Sequence, residues 1–467
     1  MPSMTPTAEA PRGPKQDDLP ATDAADIGPR STEHSHFSFR GLLRSASGTA
    51  FMQAVSSGGG FLTALLLARF LGDDGYGLYA FSFAWAGLLS LVATLGIDRF
   101  LVRGVAVYDV DREWPLMKGL LQRSNQLVGL ASLGIAAIGC AIALGFMSDS
   151  LRGPFCVAML LVPLTALTLL RQGAMQAFHK VVLGQVPEYL VRPVLIVLGV
   201  CALEVVGGGA LTATSALIVN VSAVAIAFVL GSVLLVRTLP AQLRAARPAF
   251  ATREWIRASL PMMLIAGVWL LNLYIGTLVT GTLGSPTEAG VFNIVQTAAG
   301  VVVLFLVAAN MPLAPVVAKL HAVGDRERLE RTTERIARVA LLVSAPVCAA
   351  FALFPEAFLN LFGPGFDSGA TALRIVALGQ LVNAAAGPSG NVLIMTGHEL
   401  VAARSVGLGA AVNLVLALVL VPVAGVTGAA IAFSFSLVLW NVLLILVARR
   451  RLGVNVTAFR RLSVAGG

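Results

Sequence analysis

The sequence is short of charge, since only 12% of its 467 residues are Asp, Glu, Lys or Arg, against roughly 25% in soluble proteins. It has no GxxxxGK[ST] motif, so the chain has no loop of its own for holding ATP phosphates. Its four cysteines lie in apolar runs without metal-ligand spacing, which favours small buried hydrophobic residues over a zinc site or a disulfide framework. No metal and no cofactor are therefore expected.

The first 36 residues contain no long apolar run. This stretch is rich in Pro, Asp and Thr and has no hydrophobic run, so it lacks the features of a signal peptide. A segment of this composition buries too little apolar surface to offset the entropy lost on ordering. We expect residues 1–36 to form a disordered cytoplasmic tail.

Hydrophobic residues make up 57% of the chain, and the mean hydropathy is +0.83. They are gathered in runs of about 20 residues, long enough at 1.5 Å per residue to cross a hydrocarbon core of roughly 30 Å. The sequence therefore predicts an all-α polytopic membrane protein with about twelve spans. The runs lie near 46–69, 78–97, 124–146, 154–170, 186–206, 210–236, 259–281, 289–311, 336–354, 371–395, 405–422 and 428–447.

Positive charge alternates along the chain. Of the 33 Lys and Arg residues, all but Arg69, Arg152 and Arg374 fall before the first run, after the last, or in alternate connecting segments, counting Arg192 and Arg338, which lie just inside the starts of their runs. Because Lys and Arg concentrate on the cytoplasmic side, this predicts an inner-membrane protein with both termini in the cytoplasm. The formal net charge of +9 then reflects topology and contact with anionic lipid head groups, not nucleic-acid binding.

An internal repeat divides the chain. Gly77, Tyr79 and Gly87 are matched at one constant offset by Gly290, Phe292 and Gly300. Since an even number of spans precedes the copy, the two halves should be related by an axis along the membrane normal, with substrate between them. The predicted domains are the tail 1–36, a six-helix bundle 37–236, a cytoplasmic linker 237–258, a second bundle 259–447 and a basic cytoplasmic tail 448–467.

Three stretches carry a family resemblance. Leu65 to Arg103 reads LLLARFLGDDGYGLYAFSFAWAGLLSLVATLGIDRFLVR, Ser259 to Phe292 reads SLPMMLIAGVWLLNLYIGTLVTGTLGSPTEAGVF, and Gly390 to Ala430 begins GNVLIMTGHEL. They resemble the polysaccharide-transporter, Wzx-type flippases of the multidrug/oligosaccharidyl-lipid/polysaccharide (MOP) superfamily. One departure is that many relatives have an acidic residue in the seventh span, where this chain has Asn272, Leu273, Tyr274 and Ile275.

The resemblance implies a V-shaped fold of two pseudo-symmetric six-helix bundles and no chemistry on the substrate. It implies transport of a polyprenyl-diphosphate-linked oligosaccharide across the inner membrane, for O-antigen, capsule or exopolysaccharide biosynthesis. A polysaccharide polymerase and a chain-length regulator are candidate protein partners. The sequence itself identifies neither the glycan nor the coupling ion.

Arginine is suited to such a substrate because its planar guanidinium binds phosphate oxygens in pairs. We select Arg69 and Arg374 as candidates at the periplasmic mouth, where each is either a substrate contact or a side chain that reaches the interface. Arg99 and Arg103, four residues apart after the second span, are candidates at the cytoplasmic end, and topology control is the alternative. Arg192 is a further candidate for substrate binding.

Four residues are candidates for gating or coupling. Asp98 adjoins the cytoplasmic arginines. Glu188 is four residues before Arg192, a spacing that predicts an ion pair that either lines or gates the cavity or is purely structural. Gly387 and Pro388 interrupt the tenth run and predict either a hinge or a packing kink.

Three other functions compete with the flippase interpretation. A cation-coupled multidrug exporter of the same superfamily would be expected to keep acidic residues within its spans, where this chain has mainly Glu188 and Glu204. A lipid II flippase is close in chemistry. A membrane glycan polymerase would need acid/base groups in large outer loops, yet the longest predicted outer segment, 355–369, carries only Glu356 and Asp367. An enzyme is therefore not expected.

Overall fold

The computed structural model describes residues 39–207, 211–310 and 313–459, and the predicted disordered tail lies outside these ranges. All regular elements in this part of the chain are helical. They are α1 (Phe39–Thr94), α2 (Ile97–Val110), α3 (Trp114–Phe146), α4 (Asp149–Met159), α5 (Leu161–Ala177), α6 (Val181–Val186), a π-helical turn (Pro187–Val191), α7 (Arg192–Gly207), α8 (Ala213–Thr238), α9 (Ala241–Ala245), α10 (Thr252–Leu283), α11 (Pro286–Asn310), α12 (Leu313–Val323), α13 (Arg326–Leu353), α14 (Pro355–Leu359), a 3₁₀ turn (Phe366–Gly369), α15 (Ala370–Ala386), α16 (Ser389–Met395) and α17 (Glu399–Leu452).

Within the described residues, nine helical stretches are long and apolar enough to cross a membrane. Two of them, of 60 and 54 residues, are each more than twice the length that a hydrocarbon core of roughly 30 Å requires. Each of these bends sharply at a glycine with positive φ, Gly72 (φ 69°) in α1 and Gly425 (φ 51°) in α17, so each is long enough to cross twice. With α10, these crossings confirm the predicted all-α polytopic fold of about twelve spans.

The two halves of the repeat touch each other at equivalent residues. Thr287 donates a hydrogen bond to the carboxylate of Asp74, a residue 213 positions earlier. Gly77 and Gly290 share that offset and pack so closely that a Cβ on Gly290 would lie 2.8 Å from the Cα of Gly77. Residues related by a two-fold axis can contact one another only near that axis. The pseudo-two-fold axis therefore passes through this contact, which we call the axial contact.

The tenth predicted span is interrupted, as the sequence indicates. α15 ends at Ala386, Gly387 adopts φ 67°, and α16 begins only at Ser389. A Cβ at Gly387 would lie 2.7 Å from that of Ala337 and would collide with the carbonyl of Val456. Protein therefore covers the helix break from two sides, and the choice between a hinge and a packing kink stays a prediction.

The chain after α17 folds back into the protein. Asn455 is fully buried, and its side chain donates to Glu334 (3.3 Å) and to the carbonyl of Phe459 (2.7 Å). Its backbone N–H donates to Glu330 (3.2 Å), and the N–H of Ala458 donates to the carbonyl of Ala385 (3.0 Å). The first residues of the predicted basic tail 448–467 thus belong to the packed core.

Removing the Asn455 side chain should destabilise the fold. In Asn455→Ala the buried Glu334 carboxylate loses a donor, at a cost of about 1–3 kcal/mol for an unsatisfied buried group. We expect a lower unfolding temperature in a thermal denaturation of the detergent-solubilised protein. Arg450→Ala, at an exposed position of α17, is the matched control and should melt like the wild type. Equal melting of all three proteins would show that the fold-back contributes nothing.

The predicted end of the fourth run is wrong. The fourth run was expected to end at residue 170, but α5 continues to Ala177. Arg171, counted by sequence with the cytoplasmic connection, therefore lies inside a helix and is only 4% exposed. The polar residues Arg171 and Gln172 lower the local hydropathy, yet the helix satisfies their backbone groups and continues through them.

Candidate functional site

A cavity of about 960 Å³ lies between the two halves of the chain. Its walls come from α1, the π-helical turn, α7 and α8 in the first half, and from α10, α11, α13 and α14 in the second. Among its described lining residues, Glu188 and Arg192 are the charged ones. The aromatic members of the wall are Phe61, Tyr76, Tyr79, Phe83, Tyr189, Tyr274, Phe351 and Phe358. The volume is at the upper end of that of ligand pockets.

Two prolines explain why the charged pair faces the cavity from an irregular turn. Pro187 lacks a backbone N–H, and the ring of Pro193 conflicts with the carbonyl of Tyr189 in a regular α-helix. The chain accommodates both with a single π-helical turn, Pro187–Val191, a feature often found at functional sites. Glu188 lies in this turn and Arg192 follows it.

Glu188 and Arg192 form the ion pair that their spacing predicts. Arg192 Nη1 donates to Glu188 Oε1, and the side chains of Arg192 and Glu188 are only 16% and 13% exposed. Arg192 Nη2 also donates to Asn220 Oδ1 (3.1 Å), and the guanidinium lies 5.8 Å from the ring centroid of Phe83. Glu188 Oε2 is buried and has no hydrogen-bond partner. The pair is therefore built into the cavity wall, with one carboxylate oxygen unsatisfied.

A chain of polar and aromatic contacts extends from this pair to the other half of the protein. Asn220 donates to the hydroxyl of Tyr79 (2.6 Å), whose ring stacks on that of Tyr76 (6.1 Å between centroids). The Tyr76 hydroxyl donates to Asn293 of α11 (2.8 Å). A chain of contacting side chains thus connects Arg192 in the first half to α11 in the second.

A second buried arginine lies behind the pair. Arg171 donates from Nη1 to the carbonyls of Phe228 (2.8 Å) and Ala227 (3.3 Å) in α8, and its charge is attracted by Glu188. With Arg192 this makes two guanidinium groups against one carboxylate, a net charge of +1 for these three residues, of which Arg192 and Glu188 line the cavity. In a medium of low dielectric constant such an excess attracts an anion strongly.

One end of the cavity is closed by contacts between the halves. At the axial contact, a Cβ on Gly77 would collide with the carbonyl of Pro286. Nearby, Arg69 Nε donates to the carbonyl of Leu361 (2.7 Å), and the ring of Phe61 packs edge-on against Phe362 (5.6 Å between centroids). These contacts seal the end at which α1 bends.

A larger side chain at the axial contact should keep this end open. We expect Gly77→Val to force α1 and α11 apart, because the atoms it meets are backbone and cannot rotate away. Spin labels at Phe146 and Leu353, exposed at the ends of α3 and α13, should then lie several ångströms farther apart by pulsed electron spin resonance. Gly129→Val is the control, since a Cβ there meets nothing within 4 Å. An unchanged distance distribution in Gly77→Val would contradict the closure described above.

Comparison with known proteins gives the family. The chain matches the family described as polysaccharide biosynthesis protein over residues 42–321, more than half of its length. The chain belongs to this polysaccharide biosynthesis protein family. It also matches the MatE family over residues 261–419, within its second half. Together the two matches place it among the transporters of the MOP superfamily.

Solved transporters of the MOP superfamily have the same fold as this chain. It superposes on a multidrug resistance MATE family transporter in an inward-facing conformation with a TM-score of 0.67 at 14% identity, covering 85% of this chain and 94% of that one. A MOP superfamily transporter from Pyrococcus furiosus, described as having a binding pocket of reverse polarity that suggests a different function, gives a TM-score of 0.56 at 14% identity, covering 88% and 95%. These similarities confirm the predicted MOP-like fold.

A sequence relative exists in an archaeon. The uncharacterized membrane protein MJ1068 of Methanocaldococcus jannaschii is 25% identical over 206 residues. That alignment covers 41% of this chain and 41% of the relative, so the chain matches less than half of the relative's length.

Two of the arginines selected from sequence lie outside the cavity lining. Arg69 takes part in the closed end described above. Arg374 is exposed, donates to the carbonyl of Ala352 (3.3 Å) and pairs with Glu356 (3.4 Å). Contact of either side chain with substrate stays a prediction, and in this family member both are held by carbonyl groups at the protein's edge.

The candidates on α2 and at the helix break are also outside the cavity lining. Arg99 and Arg103 are exposed on one face of α2, as their spacing predicts, and Asp98 has a buried carboxylate oxygen without a partner. Gly387 and Pro388 pack within the second half. Of the nine candidates, the structure brings only Glu188 and Arg192 together in the cavity wall.

Sequence reasoning missed the residues that complete the site. Arg171, Asn220, Tyr79, Tyr76 and Asn293 are separated by up to 217 positions between bonded partners. A polar side chain within an apolar run was the available signal for Asn220 and Asn293, because burying an amide in a membrane requires a partner. In the seventh span, Asn272 accepts a hydrogen bond from Asn413 (2.7 Å), while Tyr274 lines the cavity.

Proposed function

We propose that this MOP superfamily transporter flips a polyprenyl-diphosphate-linked oligosaccharide across the bacterial inner membrane. The observation that carries the proposal is a pair of arginines that share one carboxylate: Arg192 lines the cavity and pairs with Glu188, while Arg171, buried outside the lining, is attracted by the same Glu188. Moving an anionic head group through hydrocarbon needs such compensation, since a central charge costs from about 2.5 kcal/mol upward. Arg192 is the residue that we expect to hold the diphosphate.

The remaining wall suits a sugar block. Eight aromatic rings line the cavity, together with the amides of Asn220 and Asn293 and the hydroxyls of Ser56, Ser57, Thr63 and Thr297. Aromatic faces offer apolar contact to sugar rings, while amides and hydroxyls can donate to or accept from sugar hydroxyls. A cavity of this volume suits a short or folded oligosaccharide unit.

The rival functions fit this cavity less well. A cation-coupled exporter needs an acid that is available to a cation, but Glu188 is paired with Arg192 and further attracted by Arg171. A glycan polymerase needs paired acid/base groups, and Glu188 is the acidic member of the described lining. A lipid II flippase would use the same diphosphate chemistry, so the choice between these lipids must come from experiment.

The setting of the protein is part of the proposal. The distribution of Lys and Arg supports cytoplasmic termini, contact of the basic segments with anionic lipids, and substrate loading from the cytoplasmic leaflet. A polymerase and a chain-length regulator are the proteins we expect to act on the delivered lipid.

Flipping in proteoliposomes tests the proposal. Purified protein should expose a fluorescent polyprenyl-diphosphate oligosaccharide to a membrane-impermeant quencher faster than empty vesicles do. Lipid II and a cationic dye serve as competing substrates in parallel vesicles. Faster movement of lipid II than of any oligosaccharide lipid would favour the lipid II function, and movement of the dye alone would overturn the proposal in favour of a drug exporter.

A further inference from the structure

Arg171 has an unusual environment for a residue that no substrate can reach. It is 4% exposed, its Nη1 is held by two carbonyls of α8, and its guanidinium lies 5.7 Å from the ring centroid of Phe228. Gly231 leaves room for it, since a Cβ there would collide with the guanidinium. Its Nε and Nη2 are buried without hydrogen-bond partners. The Arg171 guanidinium is thus fixed in position, and two of its nitrogen donors are unpaired.

Glu188 and Arg171 are linked through α8: Arg192, which holds Glu188, donates to Asn220, and Arg171 donates to Ala227, two helical turns farther along that helix. Around the turn at Phe178–Lys180, Met175 packs on Gly184, where a Cβ would lie 2.8 Å from the Met175 Cβ. Glu188 lies just beyond α6, in the π-helical turn, and its charge attracts that of Arg171. Glu188 Oε2 is the carboxylate oxygen without a partner.

We propose that Glu188 exchanges its partner during transport: it pairs with Arg192 in the empty cavity and with Arg171 when an anionic head group occupies Arg192. This rests on the proposed function and adds a positioning residue to it. A phosphate and a carboxylate on the same guanidinium repel each other, and the repulsion grows in a low dielectric. The unsatisfied donors of Arg171 give the displaced carboxylate a destination, so that both arginines end paired.

The exchange has a structural consequence. Glu188 lies in the π-helical turn, whose hydrogen-bond ladder is already irregular and can shift with less loss than a regular helix. Arg171 is anchored to α8, so a Glu188 that turns to it pulls the π-helical turn toward α5 and α8 and away from Arg192. Occupation of the cavity is thereby transmitted to helix packing in the first half of the protein.

Binding of farnesyl diphosphate, a soluble short prenyl diphosphate, tests the exchange against farnesol by titration calorimetry on the detergent-solubilised full chain. Glu188→Gln removes the competitor, so we expect roughly tenfold tighter binding, and Arg171→Gln leaves Glu188 on Arg192, so we expect roughly tenfold weaker binding. In the double variant the Arg171→Gln penalty should vanish. Arg171→Lys should behave like the wild type because it keeps the charge.

These titrations test diphosphate binding and the partner exchange of Glu188 separately. If the wild type binds farnesyl diphosphate no better than it binds farnesol, and no better than Arg192→Gln does, the proposed function fails. If the wild type discriminates but the Arg171→Gln penalty persists in the Glu188→Gln background, Arg171 is merely structural and the exchange is overturned.

A spectroscopic measurement covers the case in which Arg171→Gln does not fold. Infrared difference spectra of the wild type should show a change in a carboxylate stretching band on addition of farnesyl diphosphate but not of farnesol. The change should be missing in Glu188→Gln. A wild-type spectrum that stays the same in the carboxylate region would overturn the exchange independently of any Arg171 variant.

Discussion

Arg192→Gln should lower the rate of oligosaccharide-lipid flipping by about a hundredfold, corresponding to roughly 3 kcal/mol for removing one member of a buried charge pair. The loss has two sources. The head group loses its cationic contact, and Glu188 is left facing the cavity as an uncompensated negative charge that repels a diphosphate. Arg192→Lys should retain part of the activity if a point charge is enough, and little if paired contact with phosphate oxygens is required.

The control for this prediction is Arg152→Gln. Arg152 pairs with Asp149 at the exposed start of α4, a contact of small energetic value, and it is outside the cavity lining. Arg374→Gln extends the control to a candidate from the sequence, and here we expect a smaller loss than in Arg192→Gln. Flipping at wild-type rates by Arg192→Gln, at matched expression and reconstitution, would remove Arg192 from the mechanism.

The fold could be predicted because its main determinant is local. A hydrophobic run of about 20 residues specifies a span whatever its neighbours are, and the repeat at Gly77 and Gly290 indicated how the halves are related. Boundaries were less secure. Arg171 was read as the end of a span because hydropathy alone does not distinguish a solvated arginine from one bound by the carbonyls of a neighbouring helix.

The site could be predicted only where its geometry is local. Glu188 and Arg192 are one helical turn apart, so sequence indicated their pairing, although their role in transport stays a prediction. Asn220, Tyr79 and Asn293 join them through contacts between distant spans, which no spacing rule reveals. Arg69 does join the two halves, through the carbonyl of Leu361, whereas Arg374 contacts Ala352 and Glu356 within the second half; substrate contact of either stays a prediction.

The charges in the cavity also bear on the driving force. The acidic residue that many relatives have in the seventh span is replaced here by a stretch containing Asn272, which is bonded to Asn413. If Glu188 moves between two arginines, both states of the cycle have a paired carboxylate, and no proton or sodium ion is needed to neutralise it. The membrane potential then acts on the charge of the substrate head group.

We therefore expect an imposed membrane potential to drive flipping without any pH or sodium gradient. A diphosphate carries about two negative charges, and a potential that is negative inside favours outward movement of each by about 2.3 kcal/mol per 100 mV. The sum, about 4–5 kcal/mol per 100 mV, biases the distribution between leaflets by roughly a thousandfold if the whole charge crosses the field.

In proteoliposomes with a potassium gradient, valinomycin should accelerate flipping of the diphosphate lipid from the negative side. An uncharged polyprenyl glycan without the diphosphate is the matched control and should not respond. An absolute requirement for a pH or sodium gradient at fixed potential would refute this scheme, and Glu188 would then be the first carboxylate to examine as the coupling site.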